Sequence, residues 1–222
     1  MVTIKEIAKH CNVSIATVSN IINGKPNASK ETKERVLQAI EELNYTPNYI
    51  AKNLKTRRTR TIGVVVEDIT VFCAPEIIDG ITKCCEEKGY HILLTNLRLY
   101  KKFGDSYYDN EKFFQMVRRE VKELIAKQVD GIVYVTAHER ALKYLPENLT
   151  VPASMAYGYT KSEHYPSVVV DDKKGAYEIV NYVISMGHKN IGVITGKERS
   201  IHTHDRLLGY QKALYDHSFF LY

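Results

Sequence analysis

Hydrophobic positions in the first 45 residues follow a helical periodicity. Apolar side chains recur there every three or four positions, which predicts three short helices. The predicted apolar stripes are Ile4, Ile7, Ala8 and Cys11; Ile15, Val18, Ile21 and Ile22; and Val36, Ala39, Ile40 and Leu43. Ser14 and Ser29 stand where an N-cap accepts free N–H groups of the second and third helices. Residues 23–27, NGKPN, are typical of a turn.

From Thr61 onward the pattern predicts strands that alternate with helices. The predicted strands are TIGVVVE, YHILLTN, GIVYV, VPASMAY, SVVVD and NIGVIT, and the predicted helices span 74–88, 111–127, 175–186 and 205–215. A β-branched run such as TIGVVVE is typical of a strand buried on both faces. Alternating strands and helices predict parallel β/α units.

Charge is distributed unevenly along the chain. The net charge of the 222 residues is +5, yet residues 1–60 hold 11 Lys/Arg against 5 Asp/Glu, a net of +6, and the remainder is −1. This concentration indicates a module that binds a polyanion, carried on a nearly neutral body. The basic run 55–60, KTRRTR, is interpreted as part of a linker.

Composition excludes several classes of protein. Hydrophobic residues make up 44% of the chain, but no apolar run approaches the roughly 20 residues of a membrane span, so no membrane partner is expected. Four irregularly spaced cysteines and a start without a secretory signal favour a reducing cytoplasm. No catalytic constellation or cofactor motif is present, so neither an enzyme nor a cofactor is expected. His202, His204 and Asp205 hint at metal, but no second ligand pair accompanies them, and no metal site is expected.

The first two predicted helices have the requirements of a helix-turn-helix. Ala8 is small enough for a helix crossing, Asn12 tolerates left-handed backbone in the turn, and Val18 is an apolar anchor in the second helix. A plain helical hairpin is the alternative, and the neighbouring basic excess disfavours it.

These residues carry a specific resemblance. VTIKEIAKHCNVSIATVSNIINGKP and its continuation to residue 70 resemble the amino-terminal part of the lactose-repressor (LacI/GalR) family of bacterial transcription regulators. VDGIVYV, SVVVDDKKGAYEIVNYVISMGHKNIGVITG and DRLLGYQKAL are similar to the family's effector-binding core. The resemblance implies an all-α helix-turn-helix headpiece (1–46), a hinge helix and linker (47–60), and an α/β periplasmic-binding-protein-like core with parallel sheets (61–222).

The resemblance also implies DNA contacts in the second helix, which would enter the major groove. Ile15, Ala16 and Asn20 take the positions that read base edges, where Ile15 and Ala16 suit thymine methyls and Asn20 suits adenine. Phosphate contacts are expected from Ser14, Thr17, Ser19 and Asn23. Many relatives carry Arg in place of Asn20, so the outer operator positions are expected to differ. The alternative for Ile15 is a buried packing position.

Residues 47–55 resemble the family's hinge helix, with AKNLK at 51–55 as its core. A helix this short is unstable alone in water, so ordering on DNA within a dimer is expected. The resemblance implies DNA contacts for Ala51, Leu54 and Lys55, with Leu54 as a wedge in the minor groove. Packing of Leu54 against the core is the alternative.

For the core, the resemblance implies two subdomains with a small-molecule cleft between them. Phe72, Asp171 and Arg206 are the expected effector contacts; a surface position for Arg206 and a helix cap for Asp171 are the alternatives. The loop 68–74 lacks the family's Asn-Pro pair, which leaves the ligand class open. The tract 97–110 is longer than usual and is interpreted as a solvated loop, with a partner surface as the alternative.

Family members are longer than this chain. The resemblance therefore predicts a truncated second subdomain, with an incomplete second sheet, exposed apolar edges and an impaired effector response.

The functional expectation is a sequence-specific DNA-binding regulator, a cytoplasmic, nucleoid-associated repressor. In intact form it would be a homodimer on a palindromic double-stranded operator, controlled by a carbohydrate-like effector. The alternative is a solute-binding or carbohydrate-processing protein whose basic N-terminus is incidental. The missing signal peptide and missing catalytic constellation disfavour it.

Overall fold

The chain separates into two units, Met1–Arg57 and Arg58–Tyr222. The computed structural model describes residues 2–46, 58–71, 73–104, 111–142, 145, 148–160, 165–198 and 200–219. The predicted hinge helix, with Ala51, Leu54 and Lys55, lies outside the described residues. Two residues of the predicted linker are anchored in the second unit, because the backbone N–H groups of Thr59 and Arg60 donate to the Asp130 carboxylate at 2.8 and 3.0 Å.

The described part of the first unit is a three-helix structure, as the apolar spacing predicts. Its helices are α1 (Ile4–His10), α2 (Ile15–Ile22) and α3 (Lys30–Glu42). The predicted caps are confirmed, since Ser14 and Ser29 accept from the N–H groups of Thr17 and Thr32. Asn12 adopts a φ of 49°, the left-handed turn geometry expected of it.

The core of the first unit lies where the three helices meet. Its fully buried members are Ile7, Ala8, Cys11, Val18, Ile21, Val36 and Ala39. All of them belong to the predicted stripes. Ile15 is the exception within the second stripe, with 45% of its surface exposed. Ile15 is therefore available to a partner, and the buried alternative is wrong for the first unit by itself.

The second unit is built on a parallel sheet, as predicted. Its five strands run in the order β2-β1-β3-β5-β7, and a separate parallel pair joins β4 to β6. The strands are β1 (Thr61–Val66), β2 (His91–Asn96), β3 (Gly131–Val135), β4 (Ala141–Leu142), β5 (Ala153–Ala156), β6 (Tyr159–Thr160) and β7 (Ser167–Val168). The helices are α4 (Ala74–Glu87), α5 (Leu99–Phe103), α6 (Glu111–Ala126), α7 (Asp172–Ser185) and α8 (Ile201–Asp216).

Both faces of the five-stranded sheet are covered, which explains the continuous apolar run of β1. Val64 and Val66 pack with Ala74 and Ile78 of α4. Val65 packs on the other side, in the cluster that contains the buried face of α6. Successive strand side chains point to opposite faces, so a strand with helices on both sides is apolar at every position.

Two sequence predictions for the sheet are corrected. The predicted strand NIGVIT is not a strand, and SVVVD contributes only Ser167–Val168. Among the described residues no strand lies beside 190–196, so its backbone has no ladder to join. The apolar exposure expected there is observed: Ile194 is completely exposed and Val168 is 75% exposed. Within the described ranges, the second half of this unit consists of α7, α8 and their connections without a second sheet.

The tract 97–110 is also partly corrected. Leu97 and Leu99 are buried, and their N–H groups donate to the carbonyls of Val66 and Glu67 at 2.9 Å. The segment therefore continues from β2 into the core as α5 instead of forming a solvated loop. Residues 105–110 lie outside the described part of the chain.

Candidate nucleic-acid interface and ligand cleft

The residues predicted to contact DNA surround the start and one side of α2. Ser14, Ile15, Ala16 and Asn23 are exposed. Thr17, Ser19 and Asn20 are half-buried. The structure brings all seven together because a helix places positions three and four apart side by side.

Local hydrogen bonds fix most of the polar groups in this set. The Ser14 and Thr17 hydroxyls lie 2.9 Å apart, and the Asn23 amide donates to the Ser19 carbonyl at 2.7 Å. Across the described residues the Asn20 side-chain amide makes no hydrogen bond. An amide with both its donor and acceptor available can pair with the N6 and N7 positions of adenine.

The basic excess follows the three helices in sequence and does not lie on α2. No charged residue occurs in α2, IATVSNII. Residues 1–46 carry six Lys/Arg and five Asp/Glu, whereas residues 47–60 carry five Lys/Arg and no acid. The positive charge of the first 60 residues is therefore concentrated after residue 46, whereas α2 itself presents uncharged side chains.

In the second unit, a cavity of about 900 Å³ opens at the carboxyl ends of β3 and β5. The segment 138–141 and Tyr157 form one side, and the segment 193–197 and the start of α8 form the other. The carboxyl ends of parallel strands are the usual ligand side of such sheets. Phe72, one of the three predicted effector contacts, lies outside the described residues.

Asp172 and Arg206 meet beside this cavity. The Asp172 side chain is only 6% exposed; Oδ1 accepts from Arg206 Nε at 2.6 Å, and Oδ2 lies 2.5 Å from His202 Nδ1. Burial alone would raise the pKa of Asp172, but the hydrogen bonds from His202 and Arg206 outweigh it, so the pKa lies below its ordinary value. Asp172 is therefore held as a carboxylate.

Unlike Asp172, Asp171 makes no hydrogen bond to His202 or Arg206 in the described structure. Its carboxylate accepts from the Lys174 N–H at 2.9 Å and caps α7. The structure therefore shows Asp171 as a helix cap, which is the alternative expected from the sequence. Arg206 lines the cavity, and 63% of its side chain is exposed.

Tyr157 and Glu139 complete the polar side of the cleft. Tyr157 Oη lies 3.0 Å from His202 Nε2, and burial, together with nearby Cys73 and carboxylates, raises the pKa of Tyr157 to about 12. Burial also raises the pKa of Glu139, with Asp172 adding to the effect. The Oε2 atom of Glu139 is buried without a hydrogen-bond partner in the described structure.

The backbone at this point is held in an unusual conformation. Tyr157 has a φ of 62°, and a Cβ at the following Gly158 would clash with the Thr136 side chain. The Thr136 hydroxyl donates to the Tyr157 carbonyl. Left-handed backbone at a non-glycine residue is costly and marks a position that its surroundings determine.

Below the cleft, a buried network fixes the segment after β3. Glu67 is completely buried and accepts from the Tyr134 hydroxyl at 3.0 Å, the Ala137 N–H at 2.8 Å and Arg140 at 2.5 Å. The network positions 137–140 and so sets where Glu139 stands.

Sequence reasoning missed Glu139 and Tyr157 as cleft residues, and it noticed His202 only as part of a weak metal hint. Their positions in the chain are 139, 157 and 202, so no local spacing joins them. The one available signal was the polar segment AHER, which follows a predicted buried strand.

Comparison with known proteins agrees with both units. Residues 3–48 match the family model of bacterial regulatory proteins of the lacI family. Residues 59–220 match the model of periplasmic binding proteins and the sugar-binding domain of the LacI family. The chain therefore belongs to the LacI family of bacterial regulatory proteins.

One curated relative and two solved structures illustrate this similarity. Catabolite control protein A of Priestia megaterium is 33% identical over 219 residues, covering 96% of this chain and 61% of that protein. The lac repressor dimer bound to operator and the anti-inducer ONPF aligns with a TM-score of 0.69 at 22% identity, over 99% of this chain and 63% of the other. The transcriptional regulator CelR, in complex with cellobiose, aligns with a TM-score of 0.50 at 26% identity, over 100% of this chain and 64% of the other.

The chain thus spans about three fifths of the length of the curated relatives it matches. These relatives are transcription regulators and not enzymes. None of the described helices is both long and apolar enough to cross a membrane.

Proposed function

We propose that this chain is the DNA-binding and partial effector-binding portion of a sequence-specific transcriptional regulator that acts as a repressor. The observation that carries the proposal is the exposed N-terminal face of α2, which presents Ile15 at 45% exposure and an unpaired Asn20 amide on a helix-turn-helix. Such a face is not needed to build the buried core of the first unit, which contains neither Ile15 nor Asn20. It suits the edges of bases in the major groove.

The proposal assigns a role to each segment. Residues 1–46 read the operator, and residues 47–60 form a hinge helix and linker in which Ala51, Leu54 and Lys55 contact the minor groove. Residues 61–222 contribute to dimerisation and to the effector site, with Phe72, Asp171 and Arg206 near the ligand. A homodimer on a palindromic operator follows from two identical recognition helices. The protein would act in the cytoplasm, at the nucleoid, without catalysis.

A sugar-like effector is the proposed ligand of the cleft. Support comes from the cavity of about 900 Å³, which has polar and aromatic groups on its walls, and from the cellobiose complex of the related CelR. Effector binding would change the relative position of the two halves of the core and thereby weaken operator binding.

Two serines provide a matched test of the α2 assignment. Ser14 and Ser29 cap α2 and α3 with the same geometry, each also 2.9 Å from a threonine hydroxyl. Ser14→Ala and Ser29→Ala should each lower the unfolding free energy by about 1 kcal/mol. Only Ser14→Ala should weaken binding to a duplex selected from random DNA, measured by fluorescence anisotropy at several salt concentrations.

The pair separates folding from recognition. Equal DNA affinity for the two variants would remove Ser14 from the interface. A native affinity that does not fall with rising salt would contradict DNA binding altogether, because phosphate contacts release counterions.

A further inference from the structure

Three potential metal ligands converge at the cleft from distant parts of the chain. A carboxylate oxygen of Glu139, a carboxylate oxygen of Asp172 and a ring nitrogen of His202 all lie within 4.8 Å of one another. Glu139 follows β3, whereas Asp172 and His202 stand on the first turns of α7 and α8. Mutual separations of this size allow the three atoms to reach one ion after small side-chain rotations.

The Glu139 oxygen gives independent reason to expect an occupant. Its Oε2 is buried without a hydrogen-bond partner in the described structure. Buried acceptors in native proteins are almost always satisfied by a protein group, a water or an ion. A carboxylate oxygen of Asp172 lies within 4.8 Å of a carboxylate oxygen of Glu139, so one cation between them can bind both side chains.

Neighbouring side chains orient the other two ligands, Asp172 and His202, towards each other. Arg206 holds Oδ1 of Asp172, which leaves Oδ2 on the side of His202. His202 Nε2 lies 3.0 Å from the Tyr157 hydroxyl, whose oxygen can accept a hydrogen bond from an Nε2–H group. An Nε2–H donor leaves Nδ1 free to ligate a metal, and such outer partners orient metal-bound histidines.

We propose that Glu139, Asp172 and His202 bind one divalent transition-metal ion, with Zn²⁺ the best fit to one imidazole and two carboxylates. In forming the site, the ion takes the place of the proton between His202 Nδ1 and Asp172 Oδ2, and that proton moves through water to Nε2, where it is donated to the Tyr157 hydroxyl. With the Arg206 guanidinium alongside, the two carboxylates leave a net charge of −1 before the ion binds. The ion links the segment after β3 to α7 and α8, and so ties the two sides of the cleft together. This inference does not depend on which effector the cleft takes or on DNA binding.

Zinc titration of the full chain by calorimetry, after removal of metal with a chelator, tests the proposal. The native chain should bind one Zn²⁺ at this site. Glu139→Gln and His202→Gln should each weaken that binding by about 100-fold, and Tyr157→Phe by about 10-fold. His204→Gln changes an exposed residue on the same helix outside the cluster and should bind Zn²⁺ like the native chain.

A melting experiment separates loss of the site from loss of the fold. Without metal, Glu139→Gln should melt no lower than the native chain, and added Zn²⁺ should raise the melting temperature of the native chain and of His204→Gln but not of Glu139→Gln. Zinc titrations that are the same for the native chain, Glu139→Gln and His202→Gln would overturn the proposal, as would the absence of zinc binding by the native chain.

Discussion

The α2 face and the cleft of the second unit differ in how their polar groups are brought together. On α2, the candidate contacts lie between residues 14 and 23 and are exposed or half-buried. At the cleft, the groups come from positions 139, 157, 172, 202 and 206, and the last four are joined by partly buried hydrogen bonds. The first site is a local property of one helix, whereas the second exists only when the whole unit is folded.

This contrast predicts which mutations change binding and which change the stability of the fold. Ile15 on the α2 face is 45% exposed and lies outside the buried core of its unit, so its loss should affect binding and leave folding nearly intact. Asp172, in contrast, is hydrogen-bonded to both His202 and Arg206, so its loss removes the group that holds them together. Stability measurements on the two sites should therefore diverge.

Glu67 offers the largest expected effect. Glu67→Ala removes the buried carboxylate that Arg140, Tyr134 and the Ala137 N–H share as an acceptor, and should cost about 3–5 kcal/mol of unfolding free energy. Urea denaturation of the native chain and of Glu67→Ala measures this difference in unfolding free energy. Ile15→Ala on the α2 face and Arg119→Gln, which breaks an exposed ion pair, should leave the midpoint nearly unchanged. Equal losses of unfolding free energy for Glu67→Ala and Ile15→Ala would contradict the proposed difference between the two sites.

Gly209 comes next, because it is the glycine of the RLLGY motif at 206–210. A Cβ there would overlap the Lys173 carbonyl oxygen of α7, so Gly209→Ala should force α7 and α8 apart. The expected cost is about 2–3 kcal/mol in urea unfolding. Gly175→Ala is the control, since nothing lies within 4 Å of its Cβ position and alanine favours the helix by about 1 kcal/mol. Effects of the same sign for both variants would contradict the close packing of α7 and α8.

The predictability of the fold follows the same division. The helices of the first unit were predictable because each depends on local spacing and a cap, as Ser14 and Ser29 show. The parallel sheet was predictable from the apolar runs, except for 190–196. That segment has the composition of a strand, but within the described ranges no neighbouring strand pairs with it, and β-structure needs a partner.

The cleft was predictable only in part. Arg206 and Asp171 were expected at the cleft from the family resemblance, but the residue that contacts His202 and Arg206 is Asp172. Glu139, Tyr157 and His202 could not be joined from sequence, because their meeting depends on the order of β3 and β5 and on the packing of α7 against α8. Tertiary contacts of this kind leave no regular spacing in the chain.

A smaller, pH-dependent effect is expected at Asp68. Burial acts to raise the pKa of this carboxyl, but hydrogen bonds from Thr70 and the Lys101 N–H outweigh it and leave the pKa below its ordinary value of 3.8. The carboxylate therefore stabilises the fold above pH 3.8, and this contribution is lost as the pH falls through the lower folded pKa.

Asp68→Asn should thus lower the unfolding free energy by about 1–2 kcal/mol near neutral pH. The difference from the native chain should shrink towards zero as the pH falls through and below the folded pKa. Urea unfolding at a series of pH values checks this. Asp79→Asn, at an exposed position of α4, should stay close to the native chain throughout. A deficit for Asp68→Asn that is constant with pH would show that its charge does not matter.

The central claim is that the exposed face of α2 reads DNA sequence, and the most direct test is selection of duplexes from a random pool. The native chain and Asn20→Ala would be compared under identical salt. The account predicts that Asn20→Ala loses discrimination worth about 1–3 kcal/mol at one base pair of each half-site and keeps the remaining preferences. Recovery of the same motif with the same preferences by both proteins would contradict it.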